Sequence, residues 1–181
     1  FCLSRGLGDV YKRQGKRRRL SLGVQSTSQN VLDALQRNLP VQVVLETLNY
    51  LVDRDFEVSF DLIIGLDPKF NRNILEEIDV LMAANPEHLS LYILGLSKDH
   101  HLRKLAASQE DTSREYLLVS DYLKSKGYHH YEVSNFAKPG KESSHNLKYW
   151  NRHEYLGFGP SSHSFMGNHR MANAPNPVSY T

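Results

Sequence analysis

Hydrophobic and polar residues alternate along three short segments of the chain, which are residues 20–25, 58–65 and 88–94. In each segment aliphatic residues occupy one set of alternate positions, and mostly small or polar residues occupy the other set. This period of two is that of a β-strand with two unlike faces. The polar faces include Gln25 in the first segment and Asp61 in the second. We therefore predict three strands, each with one apolar and one polar face.

Between and after these strands, apolar residues recur at intervals of three and four, which is the period of an amphipathic helix. The period predicts a short helix through Val31 to Leu35, a second from Pro40 to Val52, a third from about Asn73 to Met82, and a fourth opened by Thr112 and ended by Gly127. The opening Thr112-x-x-Glu115 has the form of a capping box. Residues 131–136 predict one more strand, and the remainder is expected to be rich in loops.

The order strand, helix, strand, helix, strand with short connections predicts a parallel sheet with right-handed crossovers, and hence an α/β fold. In an open doubly wound sheet both strand faces would be apolar. One polar face is instead typical of a barrel wall whose lumen holds a polar ligand, so we expect a partial barrel. Residues 16–98 are assigned to the barrel and residues 99–181 to a small α+β accessory region.

The same pattern predicts which side chains face the lumen of this barrel. Gln25 and Asp61 are expected on the concave, polar side. The residues expected under the helices are Leu22, Phe60, Leu62 and Leu91.

Composition narrows the class of protein. A length of 181 residues suits one domain, or one domain with a smaller appendage. The single cysteine, Cys2, excludes an internal disulfide or a multi-cysteine metal site within this chain and favours the reducing cytoplasm. No apolar run approaches the roughly 20 residues of a membrane helix. We therefore expect no transmembrane segment, and the sequence leaves only peripheral membrane association open.

Basic residues cluster near the N-terminus in KRQGKRRR, a pattern that also occurs in nucleic-acid-binding patches. No basic or aromatic face follows this cluster, so we expect no nucleic-acid partner. Residues 1–15 do not resemble the start of a domain, and we expect them to be a non-native leader.

Three polar residues are candidates for ligand contacts. Asp61 lies within an aliphatic strand, where an unpaired charge is costly, so it is either bonded to neighbouring backbone amides or in contact with a ligand. Gln25 lies at the strand end where barrel enzymes place their sites, although a core amide fits this position as well. Arg37 lies near the end of a short helix, where a solvated arginine is also favourable.

Residues 131–164 combine many aromatic side chains with three histidines and the only tryptophan, Trp150. Aromatic bodies with polar tips suit a surface where a flat apolar ligand meets water. His145, His153 and His163 do not have the spacing of a metal site. The serines beside His163 lack the elbow motif of a hydrolase. On the residues alone, His145 is best explained as part of a loop.

Several of these segments resemble one known family. RRLSLGVQS, LDALQRN and FDLIIGL are similar to segments of the oxygen-independent coproporphyrinogen III oxidase-like radical SAM family. HNLKYW resembles the H-N-x-x-Y-W motif of its haem chaperone branch, which the true oxidases lack, and the flanking YEVSNFAKPG and YLGFGPSSHS match that branch too. The resemblance runs from about Arg19 to Thr181. It implies a protein that binds haem and transfers it to an acceptor, which the sequence does not identify; the alternative is the oxidative decarboxylation of coproporphyrinogen III.

The resemblance also implies ligands and site residues. It implies a partial barrel holding a 4Fe–4S cluster and S-adenosylmethionine, with Gln25, Arg37 and Asp61 in contact with the latter. Arg37 would pair with the methionine carboxylate, to which a guanidinium can bond twice. His145 would be the axial ligand of haem iron, with Tyr149 and Trp150 as its stacking neighbours.

The chain departs from the family at the cluster. The three-cysteine motif C-x-x-x-C-x-x-C does not occur in it, and Cys2 lies in the suspected leader. Because an iron–sulfur cluster needs thiolate ligands, we assign no catalytic residue and do not expect the chain alone to cleave S-adenosylmethionine reductively. The chain is expected to be the interior of a longer protein.

Overall fold

The computed structural model of the chain describes residues 18–52, 56–97 and 99–176. Its strands are β1 (Arg18–Gln25), β2 (Phe56–Ile64), β3 (His88–Ile93), β4 (His129–His130), β5 (Asn135–Ala137), β6 (His163–Met166) and β7 (His169–Ala172). Its helices are α1 (Gln29–Ala34), α2 (Val41–Val52), α3 (Ile74–Met82), α4 (Gln109–Ser125) and α5 (Ser144–Trp150), with 3₁₀ turns at Pro68–Phe70 and Arg103–Leu105. The predicted leader, including Cys2, lies outside the described residues.

Five strands form one mixed sheet in the order β1-β2-β3-β5-β4. The first three are parallel, with Leu22 opposite Phe60 and Leu62 opposite Leu91. The parallel strands predicted from the sequence are therefore confirmed. β5 then pairs antiparallel with β3, and β4 pairs antiparallel with β5, so the sheet continues beyond its parallel part.

The hydrophobic core lies on one face of this sheet. Helices α2, α3 and α4 contribute Val44, Ile78 and Val119 to the same buried cluster as the strand residues. Phe60, Leu62 and Leu91 are buried in this cluster, and Leu22 packs against it in a partly buried position, as expected. Burying a side chain of this size contributes about 1.5–3 kcal/mol.

The opposite face of the sheet is polar. In register, Ser59 lies opposite His88, Asp61 opposite Ser90, and Ser90 opposite Asn135. The apolar core cluster contains none of these residues. The two unlike faces predicted from the period of two are therefore present, as a barrel wall requires.

The predicted start of α4 is wrong. Ser108 caps the helix instead, since its side chain accepts a hydrogen bond from the Asp111 amide at 3.0 Å and donates one to the Asp111 carboxylate at 2.7 Å. Ser108-x-x-Asp111 thus takes the place of the predicted box four residues earlier. Thr112 lies inside the helix, and the carboxylate of Glu115 accepts a bond from the Gly65 amide at 2.7 Å.

The region after α4 is more regular than predicted. Only Asn135 and Phe136 of the predicted strand 131–136 lie in β5, because residues 132–134 form a bend. Where loops were expected, the chain forms α5 and the β6–β7 hairpin. The hairpin turns through Gly167 and Asn168, both with positive φ (53° and 66°), which suits a two-residue turn of the type that joins twisted strands.

The chain divides into two compact units, residues 1–141 and 142–181. The first contains the five-stranded sheet with α1–α4, and the second contains α5 and the β6–β7 hairpin. The domain division expected between residues 98 and 99 stays a prediction. Within the described ranges, no helix has the length and apolar character of a membrane-spanning segment.

Candidate functional site

A cavity of about 590 Å³ opens beside the end of β1, and we call it the strand-end cavity. Gln25, Arg37 and Asp61 all line it. The parallel pairing of β1 with β2 and the short helix α1 bring these distant positions together. Its volume lies within the roughly 300–1,000 Å³ of small-molecule sites. The structure thus brings together the three candidates that the sequence singled out.

Gln25 adopts an unusual backbone conformation. Its φ is 69°, and the Ser26 amide donates a hydrogen bond across it to the Val24 carbonyl at 2.8 Å. A three-residue turn of this hand is rare and strained. The β1–β2 register also shifts between Leu22 and Gln25. The chain therefore leaves the regular strand at the residue that borders the cavity.

The side chain of Gln25 folds back over Gly23. A Cβ on Gly23 would lie 2.8 Å from Gln25 Nε2, so glycine leaves the space that this amide occupies. Asp61 and Gln25 both border the strand-end cavity, which is also lined by core-side residues such as Leu22 and Phe60. Because the register shift places Gln25 opposite Leu62, the common polar face of Gln25 and Asp61 stays a prediction.

A buried ion pair anchors the segment that follows Gln25. The Glu77 carboxylate accepts hydrogen bonds from Ser26 Oγ and the Thr27 amide, both at 2.7 Å. Arg72 Nε donates to Glu77 Oε1 at 2.7 Å, and Nη1 of the same arginine donates to the Ile63 carbonyl at the end of β2. The two side chains are only 4% and 7% exposed. The pair therefore joins α3 to the ends of both strands.

This ion pair was missed in the sequence, although one signal of it was present. Glu77 follows Ile74 by three positions and precedes Ile78, which places a carboxylate on the buried face of α3. Such a charge needs a partner, but the sequence does not show that the partner is Arg72.

Arg37 follows a tight helix end. The Gln36 amide donates to the Asp33 carbonyl at 2.9 Å, and the Arg37 amide donates to the Leu32 carbonyl at 2.8 Å. With Gln36 at φ 56°, these two bonds form a Schellman motif. The motif stops α1 and leaves Arg37 exposed at the wall of the cavity.

Asp61 is partly buried and hydrogen-bonded to the Ser90 side chain. Burial raises the pKa of this carboxyl, while the Ser90 bond and the positive charge of Arg19 act in the opposite direction. Asp61 thus has a protein partner in Ser90 and also borders the cavity, so the choice between a structural carboxylate and a ligand contact stays a prediction. A carboxylate in such surroundings gains from any additional donor.

A buried polar chain continues along the same face. His88 Nδ1 lies 2.8 Å from Ser59 Oγ, and His88 Nε2 lies 2.7 Å from the Tyr131 hydroxyl. His88 is 3% exposed, and burial, reinforced by the charge of Arg19, lowers its pKa to about 3. The imidazole is therefore neutral at physiological pH. Sequence reasoning placed His88 on the polar face but gave it no role.

The second unit presents its candidate residues on α5. Ser143 caps the helix by accepting from the Asn146 amide at 3.3 Å. His145 is exposed in the first turn, and Tyr149 contacts its ring edge-on at a centroid distance of 5.0 Å. Tyr149 and Trp150 are 45% and 54% exposed. The helical spacing therefore places an accessible imidazole beside an accessible aromatic ring.

A second cavity of about 300 Å³ lies within this unit, and we call it the hairpin pocket. Its lining residues are Tyr149, Arg152, Tyr155, Phe165, Asn168 and Arg170. The Tyr149 and Tyr155 rings meet edge-on with centroids 4.6 Å apart. The pocket is therefore aromatic on one side and carries two guanidinium groups. The sequence gave no indication of it, because its residues come from three separate elements.

In the described ranges, no three His, Cys, Asp or Glu side chains come together as a metal-binding group. These ranges also contain no cysteine, since Cys2 lies outside them. The described residues therefore do not fit an iron–sulfur cluster, which needs thiolates.

The chain is similar in sequence to proteins named haem chaperone HemW, although no family model matches it. It is 32% identical to the protein of Bacillus subtilis over 163 residues and to that of Mycobacterium tuberculosis over 170 residues. These matches cover 86% and 90% of this chain but only 43% and 44% of the relatives. A mitochondrial protein of Danio rerio named radical S-adenosyl methionine domain-containing protein 1 is 33% identical over 80% of this chain and 34% of its own length.

The fold matches that of coproporphyrinogen III oxidase (HemN) from Escherichia coli, which its title describes as a radical SAM enzyme. The TM-score is 0.65 at 19% identity, covering 93% of this chain and 43% of the other. The described chain therefore has part of a radical SAM α/β fold. Within that class, its sequence makes it a homologue of the haem chaperone HemW proteins, which confirms the branch predicted from its motifs.

Proposed function

We propose that the protein is a haem chaperone of the radical SAM type, which binds haem and passes it to an acceptor protein without transforming the porphyrin. The observation that carries this proposal is the exposed His145 on α5, with the half-exposed Tyr149 one turn further along the helix. An exposed cargo site suits transfer, because the acceptor must reach the same ligand. We place this activity in the reducing cytoplasm, on the strength of a single cysteine in the chain.

In this proposal the His145 imidazole is the axial ligand of the haem iron. Tyr149 and Trp150 then cover part of one porphyrin face with apolar ring surface. At roughly 25 cal/mol per Å² of apolar area removed from water, two half-exposed rings contribute a few kcal/mol. The iron–imidazole bond fixes the distance of the macrocycle from α5 but not its rotation about the iron–nitrogen axis.

The strand-end cavity is the proposed S-adenosylmethionine site. Arg37 pairs with the methionine carboxylate, while Gln25 and Asp61 bond to the ribose hydroxyls and the ammonium group. The cavity volume of about 590 Å³ and the raised pKa of the partly buried Asp61 support this assignment, because an added donor stabilises that carboxylate. Bound S-adenosylmethionine supplies the sulfonium centre on which radical SAM chemistry acts. The cavity residues contribute binding and orientation.

A haem titration tests the proposal. Ferric haem is added to the chain and to His145→Ala, and the Soret band is followed. We expect the variant to lose the shift of the Soret band and to bind more weakly, because it has no axial imidazole. His153→Ala is the matched control, since His153 is also exposed but follows α5. An unchanged spectrum in a folded His145→Ala would assign the ligand elsewhere, with His163 the next candidate.

The second candidate function is coproporphyrinogen III oxidation, and the fold shared with HemN favours it. Two outcomes separate the candidates. Conversion of coproporphyrinogen III by the full-length protein supports the oxidase, while tight haem binding without porphyrin turnover supports the chaperone.

A further inference from the structure

The hairpin pocket and the proposed haem ligand are connected by aromatic rings. The His145 ring contacts Tyr149, and Tyr149 contacts Tyr155 at a centroid distance of 4.6 Å. Tyr149 and Tyr155 both line the pocket. Tyr149 therefore belongs both to the surroundings of His145 and to the wall of the pocket.

The two arginines of the pocket differ in their surroundings. Arg152 donates a hydrogen bond to Asn168 Oδ1, and its guanidinium lies 5.8 Å from the centroid of the Phe165 ring. This contact holds Arg152 in place as part of the pocket wall. Arg170 is exposed on β7, directly opposite Phe165 in the hairpin register. Its charge is thus presented at the pocket next to an aromatic ring.

The residues that line the pocket include no aspartate or glutamate to neutralise these charges. The Glu154 carboxylate accepts a hydrogen bond from the Gly167 amide at 2.7 Å, at the hairpin turn. Glu154 does not line the pocket. The pocket therefore combines an aromatic wall with a positive rim, which suits a flat ligand that carries carboxylates on one edge.

We propose that the hairpin pocket binds the carboxylate-bearing edge of a porphyrin, with Arg170 as the main anion-binding residue and Arg152 as the second. This inference rests on the proposed haem function and adds a second contact point to it. A volume of about 300 Å³ accommodates the carboxylate edge, while the rest of the macrocycle lies against Tyr149. One axial bond leaves the ring free to rotate about the iron–nitrogen axis, and a contact at the propionates removes that freedom.

The test uses a porphyrin without iron, so that a bond between iron and His145 does not contribute to the measured affinity. Protoporphyrin IX and its dimethyl ester are titrated into the chain, and quenching of Trp150 fluorescence gives the dissociation constants. Arg170→Met removes the charge and keeps a long apolar side chain. Lys148→Met is the matched control, since Lys148 is exposed on α5 but does not line the pocket. Circular dichroism checks that each variant is folded.

We expect Arg170→Met to weaken binding of the diacid about three- to tenfold, as for the loss of one partly exposed charged bond. Binding of the dimethyl ester should not change, and Arg170→Lys should restore part of the diacid affinity. Equal effects of Arg170→Met and Lys148→Met, or equal effects on diacid and ester, would overturn the inference.

The outcomes also separate this inference from the proposed function. If His145→Ala alters the haem spectrum while Arg170→Met leaves diacid binding unchanged, the pocket inference is wrong and the haem function stands. If Arg170→Met weakens the diacid while His145→Ala leaves the Soret band unchanged, the pocket inference stands and the axial ligand is another residue. If the chain binds neither haem nor protoporphyrin, both are wrong.

Discussion

Glu77→Gln is the substitution from which we expect the largest loss of stability. The change keeps the size of the side chain but removes its charge, so Arg72 is left as a buried cation whose side chain is 4% exposed. The Glu77 carboxylate accepts the three hydrogen bonds that this change affects, from Arg72 Nε, Ser26 Oγ and the Thr27 amide, each at 2.7 Å. Removing one partner of a buried ion pair costs about 3–5 kcal/mol.

The assay is equilibrium unfolding in urea followed by circular dichroism, with the free energy of unfolding obtained by linear extrapolation. Glu76→Gln is the control, because Glu76 is exposed on the same helix and its loss should cost under about 0.5 kcal/mol. The double variant Arg72→Met/Glu77→Leu should be more stable than Glu77→Gln, because an apolar pair leaves no buried charge. With the single variants Arg72→Met and Glu77→Leu completing a double-mutant cycle, the coupling between the two sites should reach about 1–3 kcal/mol.

A second readout connects the ion pair to the strand-end cavity. Glu77 holds Ser26 and Thr27, which directly follow Gln25, so Glu77→Gln should also weaken S-adenosylmethionine binding about five- to tenfold, measured by calorimetry. If Glu77→Gln and Glu76→Gln lower the free energy of unfolding equally, the pair is not the buried anchor that the structure describes.

Three further predictions concern other positions. Gly23→Ala should leave the free energy of unfolding nearly unchanged but weaken S-adenosylmethionine binding, because the new Cβ would displace the flexible Gln25 amide, 2.8 Å away. Gly157→Ala should lower the melting temperature strongly, because its Cβ would collide with the His163 backbone carbonyl. As the pH is lowered from about 6.5 to about 3, the free energy of unfolding should fall by up to about 1.4 kcal/mol per pH unit. In this range His88 binds a proton in the unfolded chain, whereas the native residue, with a pKa of about 3, does not. His88→Gln should flatten this dependence in urea titrations at several pH values.

Matched substitutions control these predictions. Gly95→Ala places a Cβ no closer than 3.8 Å to its nearest neighbour, so it should affect neither stability nor binding. His129→Gln removes an exposed histidine and should keep the wild-type pH dependence. Asp61 acts in the opposite direction to His88, since its raised pKa favours the native state as pH falls. A His88→Gln variant with unchanged pH dependence would show that His88 is not buried and neutral in the folded protein.

The sequence predicted the parts of the fold that repeat a simple period. The alternation in β1, β2 and β3 defined both faces of the sheet, and the helical period located α2 and α3. Strand β5 and the β6–β7 hairpin are too short to show a period, and β7 is exposed throughout, so the residues carry little pattern. The hairpin did have a signal in Gly167-Asn168, a pair that favours a two-residue turn.

The candidate site was predictable one residue at a time, but its supporting contacts were not. Gln25 and Asp61 stood out because a polar side chain in an aliphatic strand needs an explanation. The partner of Glu77 could not be read from the sequence, because only the packing of α3 against the strand ends selects Arg72. Likewise, the sequence could not show that Oδ1 of Asn135, in a residue only 6% exposed, has no hydrogen-bond partner among the described residues. The position of this side chain follows from the pairing of β5 with β3.

Two residues at the strand-end cavity have a strained backbone conformation, which neighbouring contacts stabilise. Gln25 and Gln36 both line the cavity, and both have positive φ values, 69° and 56°, that glycine adopts more easily. Each costs about 1–2 kcal/mol relative to a relaxed residue. A strained conformation persists only when surrounding contacts stabilise it, and Glu77 with Arg72 provides such contacts directly after Gln25. Neither residue of the ion pair lines the cavity, yet Glu77 fixes Ser26 and Thr27, the two residues that directly follow Gln25.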